Sequence, residues 1–483
     1  MTKGFLTSNQ GAPVVDDQLS LTVGERGPIL LTDTVYLEKI SQFDREKIPE
    51  RVFHAKGAGA FGFFVPYKSF APLIKADFLQ EPDKATPVFA RFSIAGSSAG
   101  GADTVRDIRG FAVKFYTEEG NYDLISNNVP VFPLRDPLQF PDFVHAVKPD
   151  PVTNTRGGPI AASRFWDFMS LRPESMHFLT YLFADICTIK SYRRIQGFGV
   201  NTYKWVNQHG EEVYVRYYWE PCAGVEYLDS KTAAHLAATD PDVASRDLFD
   251  TIAAGHPVEF EMRVQTIKVE FESTQPFDIL DPTLIWPENL FPLIPVGRMV
   301  LNKNPENFFA QVEQSAFSPA ALVPGIDISN DRVLQGRVFP YGDTQRYRIG
   351  TNYLELPVNM PRNPVNNKMQ DGPMRIRFSE DIANYLPNTL DCGTPAGAPA
   401  QGNPSCEYVS GNVGRQVIPG DDYYQPGYRY RNMTGLEKKQ LISNILESLS
   451  QAYEPIQRRM LEHFMRTDTE LGSRIAQGLK LTP

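Results

Sequence analysis

Apolar and polar positions alternate through the first half of the chain. Val88, Ala90, Phe92 and Ile94 fall on one side of a period of two, with Phe89, Arg91 and Ser93 on the other. That period belongs to a β-strand, so Arg91 and Ser93 are predicted to share a strand face. Phe111, Val113 and Phe115 continue the alternation, and Glu119-Gly120-Asn121 is suited to turn a hairpin into Tyr122-Asp123-Leu124. The stretches 213–218 and 258–264 alternate in the same way. Successive short strands without regular helices between them predict an antiparallel sheet or barrel over 51–300. Helical patterns interrupt it at 163–169 and 175–183.

The ends of the chain read differently. Residues 1–50 are polar, broken by Gly and Pro, and predict an extended arm. Residues 301–430 are rich in Asn, Pro and Gly and predict a long wrapping segment, with one helix over about 330–349. From 431 to 483 the chain is helical. Thr434 and Glu437 form a predicted capping box, and Leu441, Ile442, Ile445, Leu446, Leu449 and Tyr453 follow at helical spacing. A second helix starts at Pro455 and carries Ile456, Met460, Leu461 and Phe464. The predicted class is α+β, with a helical domain closing the chain.

Composition narrows the function. The chain has 483 residues, enough for a sizeable core, and a net charge of −9, which argues against a general nucleic-acid or anionic-membrane binder. The N-terminus lacks an apolar signal core, and no apolar run approaches a membrane span, so a cytoplasmic protein is expected. Cys187, Cys222, Cys392 and Cys406 include no C-x-x-C pair, so neither a disulfide framework nor a zinc site is expected. Cys392 and Cys406 flank a Gly/Pro/Ala-rich loop and could pair if oxidised.

Three stretches offer chemistry. Arg51-Val-Phe-His54 is followed by Ala-Lys-Gly57-Ala-Gly59-Ala-Phe-Gly62. His54 supplies a base near neutral pH. The glycines spell a dinucleotide fingerprint, but that motif needs a helix, and Pro66 follows too soon for one. In the second stretch, Arg337 and Tyr341 stand four apart on a predicted helical face, to which Arg348 returns. Neighbouring positive charge can hold a tyrosine as phenolate, a hard ligand suited to ferric iron, although the same spacing fits a surface Tyr–Arg pair. Pro340 is expected to kink this helix. The third stretch runs from Asn127-Asn128 to Phe140. It reads either as a turn or as an amide donor facing a pocket walled by Phe132 and Phe140.

A base, an amide donor, a phenolate, aromatic walls and several arginines together suit a flat, anionic, iron-bearing macrocycle. Over nearly its whole length the chain resembles the monofunctional heme catalases. The resemblance rests on Arg51-x-x-His54-Ala-Lys-Gly-Ala-Gly-Ala-Phe-Gly, Arg91-Phe-Ser93, the run from Ala102 through Asp107 to Tyr116, Asn127-Asn-x-Pro, Phe132, Arg135-Asp-Pro and Arg337-x-x-x-Tyr341. It implies an eight-stranded antiparallel β-barrel and disproportionation of hydrogen peroxide to water and oxygen through a ferryl intermediate. It further implies that Tyr341 is the proximal iron ligand, kept ionised by Arg337. His54 and Asn127 then match the distal catalytic pair, and Ser93 matches the serine that orients the histidine. Arg51, Arg91 and Arg348 match the propionate-binding arginines. Phe53, Phe132 and Phe140 fall in the cofactor pocket, and Ala95 and Asp107 along the substrate channel. The length is similar to that of small-subunit members, which carry heme b and form homotetramers with interwoven arms.

Departures from the family pattern qualify these implications. Asn201 stands where the family has a histidine in a proximal hydrogen-bond relay that includes the position of Asp331, which puts that relay in doubt. Phe53 replaces a valine and is expected to crowd the distal pocket. Ala95 replaces a channel valine and suggests a wider constriction, with bulky organic hydroperoxides as alternative substrates. His177 is retained, but Ile186, Glu220 and Glu288 replace basic positions used to bind NADPH, and acidic residues repel its phosphate. Weak or no NADPH binding is therefore expected. A heme-binding protein without turnover is the rival from another class.

Overall fold

The computed structural model describes residues 4–378, 381–390 and 410–482. The candidate Cys392–Cys406 pair lies outside the described residues. The chain divides into two compact units, Met1–Glu50 and Arg51–Pro483. In the first, short bridges join Thr7 to Pro13 and Thr22 to Ile29. A helix, α1 (Thr34–Phe43), follows them. The polar reading of this segment predicts no helix. Asp33 provides one locally by accepting from the backbone N–H of Tyr36 at 3.0 Å. The helix buries none of its side chains, which is why no apolar stripe betrays it.

In the second unit the described residues form nine strands: β1 (Gly57–Pro66), β2 (Thr86–Ile94), β3 (Arg109–Thr117), β4 (Gly120–Asn127), β5 (Gly197–Val206), β6 (Glu212–Pro221), β7 (Val258–Lys268), β8 (Ile294–Lys303) and β9 (Ile326–Ile328). The antiparallel order is β4-β3-β2-β1-β8-β7-β6-β5, and a β4–β5 pairing closes eight strands into a barrel. The expected eight-stranded antiparallel barrel is thus present. The closing pair is Asn127 opposite Phe198. β9 adds to the outer side of β5, pairing Ile326 with Trp205 and Ile328 with Tyr203. Because the glycines of 57–62 lie in β1, the helix a dinucleotide fingerprint requires is absent there.

The barrel closes around the mainly apolar row that its strands turn inward. Phe64, Phe92, Phe111, Phe115, Trp205, Trp219 and Phe260 fill its interior. Their rings interlock, with Phe111 stacked on Trp219 at 5.7 Å and edge-on to Phe260 at 4.9 Å. Each such side chain contributes about 1.5–3 kcal/mol by burial.

Helices supply the second core. They are α2 (Phe140–Val147), α3 (Pro159–Ser170), α4 (Met176–Leu182), α5 (Ser230–Thr239), α6 (Val243–Ala253), α7 (Arg332–Arg348), α8 (Tyr424–Asn432), α9 (Gly435–Leu449), α10 (Glu454–Thr467) and α11 (Thr469–Leu479). The predicted capping box is formed at the start of α9 by Thr434 and Glu437. Trp166, Phe183, Leu441, Ile445, Met460, Phe464 and Ile475 pack together here. The same cluster includes Ala95 and Ile108 beside the ends of β2 and β3, and takes Phe53, Phe132 and Phe140 at its margin. The candidate residues therefore sit where the barrel end meets the helical layer. α7 continues on both sides of Pro340.

Candidate active site

Strand register assembles the first half of the site. Ser93 on β2 lies opposite Gly110 on β3, and Gly110 lies opposite Asn127 on β4. His54 arrives from the segment before β1 and is fixed by its backbone: its N–H donates to Ala95 O at 2.8 Å. Arg91 Nη2 donates to His54 O at 3.1 Å. His54 adopts φ 62°, the left-handed region that a histidine rarely occupies, and such strain gathers at functional sites. Its Nδ1 lies 3.0 Å from Ser93 Oγ. Gly110 makes this possible, because a Cβ there would stand 2.7 Å from His54 Nδ1 and 2.5 Å from Ser93 Oγ.

The two adjacent asparagines divide their tasks. Asn128 is structural: its Oδ1 accepts from Arg109 N at 2.7 Å and its Nδ2 donates to Ile186 O at 2.8 Å. The side chain of Asn127 is half-buried and takes no hydrogen bond among the described residues.

α7 supplies the other half. Arg337 Nη2 donates to Tyr341 Oη at 2.6 Å, with the guanidinium 5.1 Å from the ring centre. Arg337 Nη1 also donates to Asn201 Oδ1. Asn201 Nδ2 donates to Asp331 Oδ2 at 2.8 Å. Hydrogen bonds therefore run continuously along Tyr341–Arg337–Asn201–Asp331, with Asn201 in the middle. The amide can only be oriented one way, since a guanidinium donates and a carboxylate accepts. Burial works against the charge of Arg337, but Tyr341, Tyr203 and Asp331 outweigh it and raise its pKa.

The two halves are linked electrostatically, since the Arg337 charge acts on His54. Burial lowers the His54 pKa to about 3, reinforced by the charges of Arg91, Arg337 and Arg51, so the ring is neutral near pH 7. His54 and Arg337 are both half-buried. Phe53 meets His54 edge-on at 5.0 Å and packs against Phe140 at 5.7 Å and Phe143 at 6.5 Å. Phe132 stacks on Phe140 at 5.9 Å. Phe53 thus joins the aromatic wall, and its bulk is taken up there.

Arg51, Arg91 and Arg348 form a cationic edge beside His54. Arg51 Nη2 donates to the carbonyls of Val312, Glu313 and Ser315 at 3.0, 2.8 and 2.9 Å. Glu313 bridges two arginines, with Arg348 Nη2 at 2.6 Å from one carboxylate oxygen and Arg51 Nη1 at 3.3 Å from the other. Burial pulls the Arg91 pKa down to about 10, and its Nε has no partner among the described residues. Nothing in the sequence around Glu313 marks it out, and Gly110 stands in the matching run from Ala102 to Tyr116 without any sign of its role. Glu313 sits in a stretch without periodicity, and Gly110 is ordinary until the strand register is known.

Asp107 and Ala95 adjoin. Asp107 Oδ2 accepts from Gly96 N at 2.8 Å, and burial raises its pKa. Ala95 is 2% exposed, in the same apolar cluster as Ile108 and Val129. No helix among the described residues is long and apolar enough to cross a membrane.

The catalase family model matches residues 7–392, and the catalase-related immune-responsive model matches 418–479. A catalase of Methanosarcina barkeri is 47% identical over 99% of this chain and 94% of its own length. A catalase of Listeria seeligeri is 44% identical over 98% of this chain and 96% of its own. Catalase-2 of Bacillus subtilis is 42% identical over 98% of this chain, which spans 70% of that longer protein. With a matching family model across most of its length and relatives of this similarity, the chain belongs to the catalase family.

Proposed function

We propose that the hollow between His54 and Tyr341 holds heme b and that the enzyme there decomposes hydrogen peroxide to water and oxygen, as small-subunit catalases do. One observation carries the reading. A neutral, serine-bonded histidine lies within electrostatic reach of the arginine that donates to Tyr341. The surroundings fit the macrocycle. Aromatic side chains make one wall, and the buried cationic edge, with an unpartnered Arg91 Nε, suits its carboxylates. Tyr341 Oη is the iron ligand in this reading. Arg51, Arg91 and Arg348 take the propionates, and Phe53, Phe132 and Phe140 pack on the ring. When bound, heme supplies the two-electron redox capacity of the reaction.

The protein's own work is with protons. In the tautomer this reading assigns, Nδ1–H faces Ser93 Oγ 3.0 Å away, which leaves the Nε2 lone pair for a proton from peroxide. Because the ring is neutral, that lone pair is available across the physiological range. The Asn127 amide donates to a peroxide oxygen, a preorganised dipole in a site that excludes water. His54 then returns its proton to the outer oxygen, which leaves as water. With the second peroxide the same ring relays protons as oxygen forms.

An absorption spectrum with an oxygen-evolution assay tests this. His54→Ala is expected to lose about 10²–10⁴-fold in rate, the usual contribution of a positioned base. Tyr341→Ala is expected to lose heme or alter its spectrum. Oxygen evolution at the wild-type rate by His54→Ala would overturn the mechanism. Glu220, which accepts from Gln196 Nε2 at 2.8 Å, supports weak or no NADPH binding, and stoichiometric NADPH in purified protein would end that reading. The apolar side chains exposed on 1–50, including Phe5 and Leu31, support a homotetramer in which they are covered, a point for analytical ultracentrifugation.

A further inference from the structure

We propose that Glu313 is a built-in counter-ion of the arginine edge, whose charge limits how tightly the site holds a dicarboxylate. This rests on the reading of that edge as the seat of heme's two propionates. Arg51, Arg91 and Arg348 crowd together, and the Glu313 carboxylate is the acid acting on all three.

The arginines do not depend on that carboxylate for their aim. Arg51 is held by three backbone carbonyls, and Arg348 Nη1 donates to Gln345 Oε1 at 3.1 Å. Glu313 ends a π-helical turn, Phe309–Glu313, in which Gln314 N donates to Phe309 O at 3.0 Å. It is the turn's backbone that places the carboxylate. Glu313 also lines a cleft of about 620 Å³ together with Gly57, Gly59 and Phe308. A fixed negative charge beside the arginines stabilises them and opposes any anionic ligand by the same interaction. Neutralising it is expected to have opposite effects on the protein and on ligand release.

The test uses the full chain. Heme release to excess apomyoglobin is followed by absorbance for wild type, Glu313→Gln and Glu313→Asp. It is repeated with heme dimethyl ester, whose propionates carry no charge. Thermal unfolding is measured on the heme-free proteins. Glu313→Gln is expected to release heme about fivefold more slowly, to release the ester at an unchanged rate, and to melt at a lower temperature without heme. Glu313→Asp keeps the charge and is expected to release heme near the wild-type rate. If Glu313→Gln releases heme as fast as wild type or faster, or slows heme and ester alike, the counter-ion role is wrong. Should Glu313→Gln not fold, heme release by Glu313→Asp at the ester-like rate of wild type overturns it instead. A wild-type protein that takes up no heme overturns the functional reading, and that outcome is seen before any variant is compared.

Discussion

At the scale of single residues, the site depends on one missing methyl group. The His54 ring and Ser93 Oγ occupy the space where Gly110 has no side chain. Gly110→Ala must therefore push the imidazole off Ser93, while the strand around it can persist. The expected outcome is a loss of about 10²-fold or more in oxygen evolution, since a small misplacement of a catalytic group is that costly. Far-UV circular dichroism should stay unchanged, and a variant of full activity would show that the close approach is unimportant. The pH dependence follows from the same ring. His54 is held neutral by burial first, then by Arg91, Arg337 and Arg51, with a pKa of about 3. The rate should therefore show no histidine limb between pH 5 and 8 on the ordinary scale of that side chain. A fall centred near pH 6.5 would contradict it. Stability has the matching sign. The unfolded chain binds a proton at His54, and at the buried His177, where the folded protein does not. The contribution is whole above the unfolded pKa and is lost as pH falls from about 6.5 toward the folded value.

At the scale of elements, α7 is fastened to the barrel by the residue that caps it. Asp331 Oδ1 caps the helix, accepting from Val333 N at 2.9 Å and Leu334 N at 3.0 Å. Its Oδ2 receives Asn201 Nδ2 at 2.8 Å and Thr202 N at 3.2 Å from β5. Asp331→Ala should cost about 2–4 kcal/mol, the cap plus the buried donors left unsatisfied. Asp331→Asn, which keeps one acceptor oxygen for the cap and loses the other, should cost less, and equal losses for the two in denaturant unfolding would refute the account. Much of this was legible beforehand. The period of two at 88–94 foretold that Arg91 and Ser93 share a face, and the spacing of Arg337 and Tyr341 foretold their contact, now 2.6 Å. The relay through Asn201 was not legible, because 136 residues separate it from Arg337 and only the packing of α7 on β5 joins them. Asn127 and Asn128 look alike in sequence, and the barrel closure at Asn127–Phe198 is what separates their tasks. Glu313 was silent because ion pairs between distant segments leave no periodic trace.

At the scale of the whole molecule, no single segment owns the proposed site. His54 precedes the barrel, Ser93 and Asn127 lie on two of its strands, Asn201 lies on a third, and Tyr341 follows on α7. The hollow therefore exists only while the barrel is closed and α7 is docked. A ligand bound there must report on both, and by mass action it must stabilise both. Heme present at a hundredfold excess over its dissociation constant should add about 2.7 kcal/mol to the unfolding free energy of this unit. On heating, loss of the heme absorption band should coincide with loss of β-sheet signal in circular dichroism, and both midpoints should rise with heme concentration. If the band disappeared well below the barrel transition, the ligand would be held by a locally unfolding segment. The seat between His54 and Tyr341 would then be wrong, because those two residues are brought together by the closed barrel and the capped helix acting as one.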